Sequence, residues 1–245
     1  MAKTQCPLVF SLLALALIGT LPSSAAQCRN SNTFLGELQL RDDDKEALLT
    51  AHNNYRQQTA AGNAYGRSQP AAKNMLELTW DEHAAQQASS WARTCQYEHN
   101  KPTDKQGKQL GQNLALRMTN STAPLDARRT FNQWMKNYMV KGWFDEVKLY
   151  TYGTPFSNDT GHYTQMVWAT TSKLGCGYSF FKKTDPDGMI WQVGYLVCNY
   201  NPAGNWMGMV PYEEGFGNCE PKKFRRSTKY RKLCVEKKQQ KKRKK

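Results

Sequence analysis

The spacing of apolar residues predicts a helix near the start of the folded region. Leu48, His52, Tyr55 and Thr59 fall on one stripe at helical spacing, along residues 45–58 and the residue that follows them. Three consecutive aspartates precede this segment, and carboxylates are favourable at the N-cap and first turn of a helix because they compensate its dipole. The pattern therefore predicts an amphipathic helix whose stripe faces the core.

Two further segments show the same periodicity. Residues 81–94 carry mostly small apolar residues at helical spacing, and residues 125–140 carry larger aromatic ones. Small side chains allow another layer of the structure to approach closely. The two stripes are Ala84, Ala88, Trp91, Ala92 and Cys95, and Ala127, Phe131, Trp134, Met135 and Tyr138.

A β-hairpin is predicted in the C-terminal half. Residues 175–181 and 189–200 are rich in aromatic and β-branched residues, and the turn sequence DPDG at 185–188 separates them. Opposed residues of a hairpin have a constant index sum. The turn centre therefore pairs Cys176 with Cys198.

The order of the predicted elements indicates the fold class. Residues 75–80 alternate in the manner of a short strand between the first two helices. Helices thus occur before and after strands without a regular βαβ repeat. This order predicts an α+β fold in which helices cover both faces of a small antiparallel sheet.

The N-terminus has the composition of a secretory signal. Residues 1–3 are weakly basic, residues 8–21 are apolar and uncharged, and residues 24–26 are small, which predicts cleavage before Gln27. The apolar run is shorter than the roughly 20 residues of a membrane span. The sequence therefore predicts a signal peptide at 1–26 and a secreted protein without a transmembrane anchor.

Secretion makes disulfide bonds the expected state of the cysteines. Six remain after removal of the signal, and an even number in a secreted chain predicts three bridges. Besides the hairpin bridge, Cys219 and Cys234 flank a short basic loop and are predicted to pair, which leaves Cys28 with Cys95. The same compartment permits N-glycosylation, and two sequons are present, at Asn120 and Asn158.

Nearly all of the net charge of +14 lies in the C-terminal extension, residues 219–245. Residues 222–245 contain fourteen Lys or Arg and one Glu, whereas residues 27–221, taken as the body, are electrically neutral. Like charges at this density repel, so the basic tail is expected to be disordered after Cys234. The cations are Lys222, Lys223, Arg225, Arg226, Lys229, Arg231, Lys232, Lys237, Lys238, Lys241, Lys242, Arg243, Lys244 and Lys245.

A neutral body with a cationic extension predicts two separate functions. The extension is expected to bind extracellular polyanions such as glycosaminoglycans, because paired Arg donors match sulfate and Lys adds point charge. The alternative is a solvated tail that only aids solubility. Phe224 and Tyr230 are its two aromatic residues, and no fold that reads nucleic acid is recognisable, so specific nucleic-acid binding is not predicted.

Several ordered motifs resemble those of one protein family. They are HNNYR at 52–56, GQNL at 111–114, GHYTQMVW at 161–168, LGCG at 174–177 and YLVCNYNPAGNW at 195–206. Together they strongly resemble the signatures of the CAP superfamily, which comprises cysteine-rich secretory proteins, antigen 5 and pathogenesis-related protein 1. Residues 70–75 and 95–99 look particularly like antigen 5 of arthropod saliva and venom. The resemblance covers residues 42–206.

The resemblance implies a fold and a general role. It implies a three-layer α-β-α sandwich, residues 27–218, in which Cys176–Cys198 and Cys28–Cys95 match family bridges. It also implies a secreted binding protein, rather than an enzyme, that in saliva would modulate host haemostasis or immunity. The alternatives are a metal-dependent hydrolase and an inert, allergen-like scaffold.

The family cleft gathers two His and two Glu and can bind a divalent metal such as zinc. Carried over by resemblance, the His positions are His99 and His162, and the Glu positions fall on Gln112 and on Asn137, three residues after Trp134. Zinc prefers anionic ligands to amides, so zinc binding is expected to be weak and no cofactor to be required. Two interpretations remain: zinc ligands, or hydrogen-bonded cleft histidines. No acidic partner of His162 is evident and no catalytic residue is predicted, although Thr164 supplies a nearby hydroxyl.

The resemblance also implies a small lipid ligand, because some family members bind sterols, fatty acids or leukotrienes in apolar grooves. An aromatic-rich segment at 134–152 is either core or the lining of such a groove. Its aromatic residues include Trp134, Tyr138, Trp143, Phe144, Tyr150 and Tyr152.

Overall fold

The computed structural model describes residues 28–64, 69–216 and 219–237. The predicted signal peptide and the last basic cluster, 238–245, lie outside the described residues. The main elements are β1 (Thr33–Glu37), α1 (Asp42–Ala60), β2 (Thr79–Trp80), α2 (Glu82–Ala92), β3 (Gly111–Thr119), α3 (Ala127–Trp134), α4 (Val140–Asp145), α5 (Gly161–Met166), β4 (Lys173–Thr184), β5 (Ile190–Asn201), β6 (Phe224–Arg226) and β7 (Cys234–Glu236).

The central sheet is built around the predicted hairpin. Its strand order is β1-β4-β5-β3 with antiparallel pairing, and β2 adds in parallel to β4. Cys176 lies directly opposite Cys198 in the β4–β5 register, and a disulfide joins them. The hairpin and its bridge are therefore confirmed, as are the bridges Cys28–Cys95 and Cys219–Cys234.

Helices cover both faces of the sheet. The α2 stripe packs with one set of sheet side chains, and α1, α3, α4 and α5 pack with the other set. Two glycines of β4 let α2 approach closely: a Cβ on Gly175 would lie 2.2 Å from the backbone N of Ala85, and one on Gly177 would lie 2.3 Å from that of Ser89. The predicted α+β, three-layer sandwich is confirmed.

The predicted stripe of α1 faces inward, but its start differs from the prediction. Leu48, His52 and Thr59 are buried. The three aspartates lie inside the first turn, after the N-cap residue Arg41, and the Asp44 carboxylate accepts the Arg41 backbone N–H at 2.9 Å. The helix thus begins before Lys45, and the aspartates act on its dipole and on the N-cap backbone.

The third helical stripe changes phase at its C-terminal end. Helix α3 ends at Trp134, and a π-helical turn, Met135–Met139, joins it to α4. A π-turn adds an extra residue and rotates the positions that follow. Tyr138, predicted on the buried stripe, is therefore 44% exposed, whereas Met139 is 3% exposed.

The C-terminal extension is ordered further than the charge pattern indicated. Residues 219–237, here called the basic hairpin, form β6 and β7, closed by the Cys219–Cys234 disulfide. Tyr230 and Leu233 are buried in the main core. The Cys234 N–H donates to the Met75 carbonyl at 2.8 Å, and β7 continues past Cys234 to Glu236. Apolar burial and backbone pairing outweigh charge repulsion there.

Two surface features bear on the predicted environment. Asn120 and Asn158 are both exposed, in the loop after β3 and in a short 3₁₀ turn before α5. Among the described residues, no helix combines the length and apolar character required to cross a bilayer.

Candidate functional site

His162, on α5, has a carboxylate partner. The Nδ1 atom of His162 lies 2.6 Å from Oε1 of Glu146, whose Oε2 accepts the backbone N–H of Tyr163 at 3.0 Å. The indole of Trp143 stacks on the imidazole with ring centroids 6.0 Å apart. An ionised Glu146 therefore assigns the proton to Nδ1 and fixes the plane of the ring.

The carboxylate that contacts His162 is that of Glu146, and position 137 does not supply it. Asn137 lies in the π-helical turn, is exposed, and lines the cleft without reaching His162 in any described hydrogen bond. Glu146 follows Trp143 by three residues, the same spacing that separates Asn137 from Trp134. The sequence interpretation counted from Trp134 rather than from Trp143 and found no acidic partner for His162; the structure supplies one in Glu146.

His99 is held by an amide network. Its Nδ1 lies 3.1 Å from Oε1 of Gln112, and the Nε2 of Gln112 donates to Oδ1 of Asn100 at 2.7 Å and to Oδ1 of Asn199 at 3.0 Å. The Nδ2 of Asn199 donates to the Ala84 carbonyl at 3.0 Å, which turns its oxygen toward Gln112. A carboxylate at position 112 could not make these two donations.

The two histidines form hydrogen bonds with consecutive residues of β3, Gln112 and Asn113. Gln112 contacts His99, and the Nδ2 of Asn113 donates to the backbone carbonyl of His162 at 3.1 Å. Neighbouring strand residues point to opposite faces of a sheet. Within the described residues, His162, Glu146 and Asn137 line the cleft, and His99 lies outside that lining.

The donor set does not fit a metal centre. Among residues 28–64, 69–216 and 219–237, no group of three or more His, Cys, Asp or Glu side chains is placed to hold a metal ion. A catalytic zinc site uses three protein ligands from these residue types. The Nδ1 atoms of His99 and His162 contact Gln112 and Glu146, so each imidazole has its Nε2 left as a donor for a metal, and the described residues supply no third ligand.

The cleft has a volume of about 510 Å³ and runs along the edge strand β3. The guanidinium of Arg117 lies 4.1 Å from the centre of the Tyr138 ring on its rim, and the indole N–H of Trp143 donates to the Leu114 carbonyl at 3.1 Å. Burial raises the pKa of the Tyr97 hydroxyl, which also lines the cleft. The walls are therefore aromatic and the rim is charged.

Most of the aromatic segment belongs to the core. Trp134, Trp143, Phe144 and Tyr150 are buried, and Tyr138 is exposed. Trp143 and Tyr138 line the cleft. The core interpretation therefore describes most of these residues, and Tyr138 is the exposed one at the cleft.

The hydroxyl of Thr164, the candidate nucleophile beside His162, is engaged elsewhere. Thr164 is buried and its hydroxyl donates to Oδ1 of Asn205 at 2.7 Å. Activation of a hydroxyl nucleophile requires a hydrogen bond to the base. The Thr164 hydroxyl therefore lacks the geometry of a nucleophile paired with His162.

A buried chain of hydrogen bonds supports the site from below. The Tyr200 hydroxyl lies 2.9 Å from Nε2 of His52, and the Nδ2 of Asn113 donates to the same hydroxyl at 3.2 Å. The other imidazole nitrogen of His52 lies 2.8 Å from the Leu48 carbonyl, so it carries the proton. Complete burial lowers the pKa of His52 to about 4, which keeps this imidazole neutral.

The basic hairpin presents most of its cations to solvent. It contains eight Lys or Arg and two Glu, a net charge of +6. Seven of the eight cations are exposed, and Arg226 is half-buried. Lys229 forms an ion pair with Glu46 of α1. Of the predicted polyanion-binding residues, Lys238 and the five from Lys241 to Lys245 lie outside the described residues.

Comparison with known proteins gives consistent matches. Residues 49–200 match the model of the CAP, or cysteine-rich secretory protein, family. A salivary antigen-5 of Dipetalogaster maximus is 54% identical over 243 residues, which cover 98% of this chain and 94% of that protein. A venom allergen 5 of Vespula maculifrons is 40% identical over 181 residues, covering 71% of this chain and 82% of that protein.

Solved structures give a similar match. A crystal structure of NaASP2 with Zn2+ superposes with a TM-score of 0.57 at 29% sequence identity. The superposition covers 80% of this chain and 97% of NaASP2. The similarity thus spans the helices and the central sheet together.

Proposed function

The chain belongs to the cysteine-rich secretory protein (CAP) family, and we propose from this that it is a secreted, salivary antigen-5-like binding protein that attaches to sulfated glycosaminoglycans through its basic extension. The observation that carries the proposal is the folded basic hairpin. Its seven exposed cations stand on a disulfide-closed scaffold with a net charge of +6.

The arrangement of these cations supports a sulfated polymer as the partner. Lys222, Lys223 and Arg225 lie at and just before β6, and Arg231 and Lys232 lie in the loop before β7, so the positive groups are spread along the hairpin. A linear polyanion contacts such a row through charge-assisted hydrogen bonds, and Arg matches sulfate with paired donors. Exposed charges are screened by salt, so binding should weaken steeply as ionic strength rises.

Salt-gradient chromatography on heparin tests the proposal. The test variant carries Lys222→Gln, Lys223→Gln and Arg225→Gln, and the matched control carries Lys101→Gln, Lys105→Gln and Lys108→Gln in an exposed loop of the body. We expect the hairpin variant to elute at clearly lower salt than the control, although both lose three charges. Equal elution of the two variants would reject specific attachment through the hairpin, and net charge would then be the remaining explanation of heparin binding.

A role against the host follows from the same proposal. The relative from Dipetalogaster maximus is named as salivary, and attachment to host polysaccharides would keep a salivary protein at the site where it enters the host. We propose that the protein modulates haemostasis or immunity as a binding protein rather than as an enzyme. The engaged Thr164 hydroxyl supports this choice. We expect the parent protein to change platelet or leukocyte activation and the hairpin variant to have lost this effect.

A small lipid in the cleft is a further part of the proposed function. The cleft volume of about 510 Å³ and its aromatic lining suit such a ligand. Native mass spectrometry of the secreted protein would detect a copurified lipid as added mass. A substitution that fills the cleft, Ala115→Trp, should remove that mass, while Asn137→Ala on the cleft rim should retain it.

A metal-dependent hydrolase is the second candidate, and the Glu146–His162 pair is the observation that favours it. It ranks second because the described donor set lacks a third metal ligand. Elemental analysis for zinc and assays on protein substrates distinguish the two. The hydrolase would be supported if the parent protein contained stoichiometric zinc and turned over substrate, and if both His99→Ala and His162→Ala abolished that turnover.

A further inference from the structure

A short segment after β5 exposes large apolar side chains at a tight turn. The apolar turn consists of Trp206, Met207, Met209 and Val210, of which Trp206, Met207 and Met209 are 51%, 78% and 60% exposed. Gly208 has φ +76°, and the Met209 N–H donates to the Trp206 carbonyl at 3.1 Å, which closes the turn. Such a concentration of exposed apolar surface is a mark of an interaction site.

A neighbouring loop enlarges this apolar surface. Phe156 is partly exposed and lies against Gly161, where an added Cβ would meet its ring at 3.3 Å. Asn205, the residue before the turn, lies against the same Gly161 and donates from Nδ2 to its carbonyl at 2.9 Å. Phe156 therefore flanks the turn.

The apolar turn lies beside the basic hairpin. The carbonyl of Pro211, at the end of the turn, accepts the Ala169 N–H at 2.7 Å, and the Ala169 carbonyl accepts the Leu76 N–H at 2.9 Å. Leu76 in turn pairs with Cys234 in the hairpin. Backbone segments paired in this way lie about 5 Å apart, so three successive pairings place Pro211 within about 15 Å of Cys234.

The charge of this region is positive despite two intervening acids. Glu213 forms an ion pair with Lys73 at 3.0 Å, and Glu214 follows it. Residues 206–237 as a whole contain eight Lys or Arg and four Glu, a net charge of +4. An apolar tip thus adjoins a cationic surface within one contiguous stretch of chain.

We propose that the apolar turn and the basic hairpin together form a docking surface for anionic lipid bilayers. The side chains of Trp206, Met207 and Met209 enter the interfacial layer, and the hairpin cations face the acidic headgroups. Trp is favoured at the boundary between headgroups and acyl chains, and each nearby cation adds electrostatic attraction. A soluble polysaccharide offers charge without an apolar layer, so it leaves the turn uncovered.

Vesicle sedimentation of the full secreted protein tests the proposal. The vesicles contain phosphatidylcholine with about 30% phosphatidylserine, and phosphatidylcholine alone provides the comparison. The test variant carries Met207→Ser and Met209→Ser, which keeps Trp206, one of seven tryptophans that contribute to the emission. The matched control carries Leu149→Ser and Leu35→Ser, two exposed leucines outside the turn. All proteins are also sedimented without vesicles and run on heparin.

We expect the parent and the control to bind the anionic vesicles with a blue shift of Trp emission, and the turn variant to partition at least about tenfold more weakly. Heparin elution should be the same for all three, because their charges are equal. Unchanged vesicle binding by the turn variant would overturn the proposal. So would self-association of the parent that the turn substitutions abolish, since the surface would then join two copies of this chain. Failure of heparin binding alone would affect only the glycosaminoglycan proposal.

Discussion

The imidazole of His52 and the hydroxyl of Tyr200 lie 2.9 Å apart in the core, where α1 packs on β5. Because the second nitrogen of His52 donates to the Leu48 carbonyl, the Tyr200 hydroxyl donates to Nε2 and accepts from Asn113. The donor and acceptor of each hydrogen bond are thus assigned. Protonation of His52 at Nε2 would remove the acceptor of the Tyr200 hydroxyl and break that hydrogen bond.

This arrangement predicts a loss of stability in acid. The folded pKa of His52 is lowered from 6.5 to about 4 by burial, so the unfolded chain binds the extra proton throughout that interval. The contribution is present in full above pH 6.5 and is lost as the pH falls toward 4, by about 3 kcal/mol in total. Urea unfolding across this range, compared with His52→Gln, measures it. Parallel pH profiles for the two proteins would contradict the prediction.

The Glu146 carboxylate should contribute to stability through two hydrogen bonds. Glu146→Ala leaves the Tyr163 N–H and the His162 Nδ1–H without their acceptor and should lower the free energy of unfolding by about 2 kcal/mol. Glu146→Gln retains one acceptor oxygen and should cost about half as much. Asn137→Ala, on the same cleft, is the control and should be nearly neutral. Equal effects at both positions would argue against the assigned pairing.

Gln112 should be required as an amide. Gln112→Glu replaces two donated hydrogen bonds, to Asn100 and Asn199, with contacts between oxygens, and should destabilise the protein by about 2 kcal/mol at neutral pH. Thermal unfolding measures the change. A stability equal to that of the parent would mean that the flanking amides reorient to serve a carboxylate.

The close approach of α2 to β4 should make Gly175 intolerant of any side chain. Gly175→Ala places a Cβ 2.4 Å from the Asp81 carbonyl oxygen and should cost more than about 2 kcal/mol, because backbone atoms must move. Gly142→Ala is the matched control: its Cβ would meet nothing within 4 Å inside α4. It should stabilise the protein by about 0.5 kcal/mol. Chemical denaturation of both variants provides the measurement.

The basic hairpin should resist trypsin while its disulfide is intact. Replacing Cys219 and Cys234 with Ser removes the covalent closure, and opening of the hairpin then costs only the burial of Tyr230 and Leu233 and its backbone pairing. We expect cleavage between residues 222 and 232 to become at least about tenfold faster while the body remains intact. Mass spectrometry of timed digests gives the rates. Equal rates would mean that packing alone holds the hairpin.

The elements with local signals were predictable from the sequence. The β4–β5 hairpin has a strong turn at 185–188 and dense β-forming residues, and its centre fixed the Cys176–Cys198 pairing. By contrast, β3 has polar residues at both ends and pairs with β5 about 80 residues away, so nothing near it in sequence marks it as a strand. Its recognition required the tertiary structure.

The buried charge at position 56 shows a second limit. Arg56 is completely buried, and its guanidinium donates to the backbone carbonyls of Leu76, Met166, Trp168, Ala169 and Thr171. Burial lowers its pKa to about 9. A pattern of apolar and polar positions assigns an arginine to the surface, because it carries no information on carbonyl groups that converge from distant loops.

The site could be predicted only in part. His162 and the residues around it were identified through motif resemblance, but the Glu146 position depended on choosing between two tryptophans with the same spacing to a candidate residue. Both candidate positions line the cleft, and Asn137 lies in the π-helical turn whereas Glu146 follows α4 and reaches His162. A local insertion of this kind has no reliable signature in a single sequence.

The backbone bonds between Cys234 and residues 75–77 have a geometric consequence. A flexible cationic arm would let the body tumble freely above whatever surface it held. The basic hairpin is instead held to the body by backbone hydrogen bonds, so the two have a fixed relative orientation. A surface bound by the hairpin would therefore also determine whether the cleft beside β3 faces that surface or the surrounding solvent.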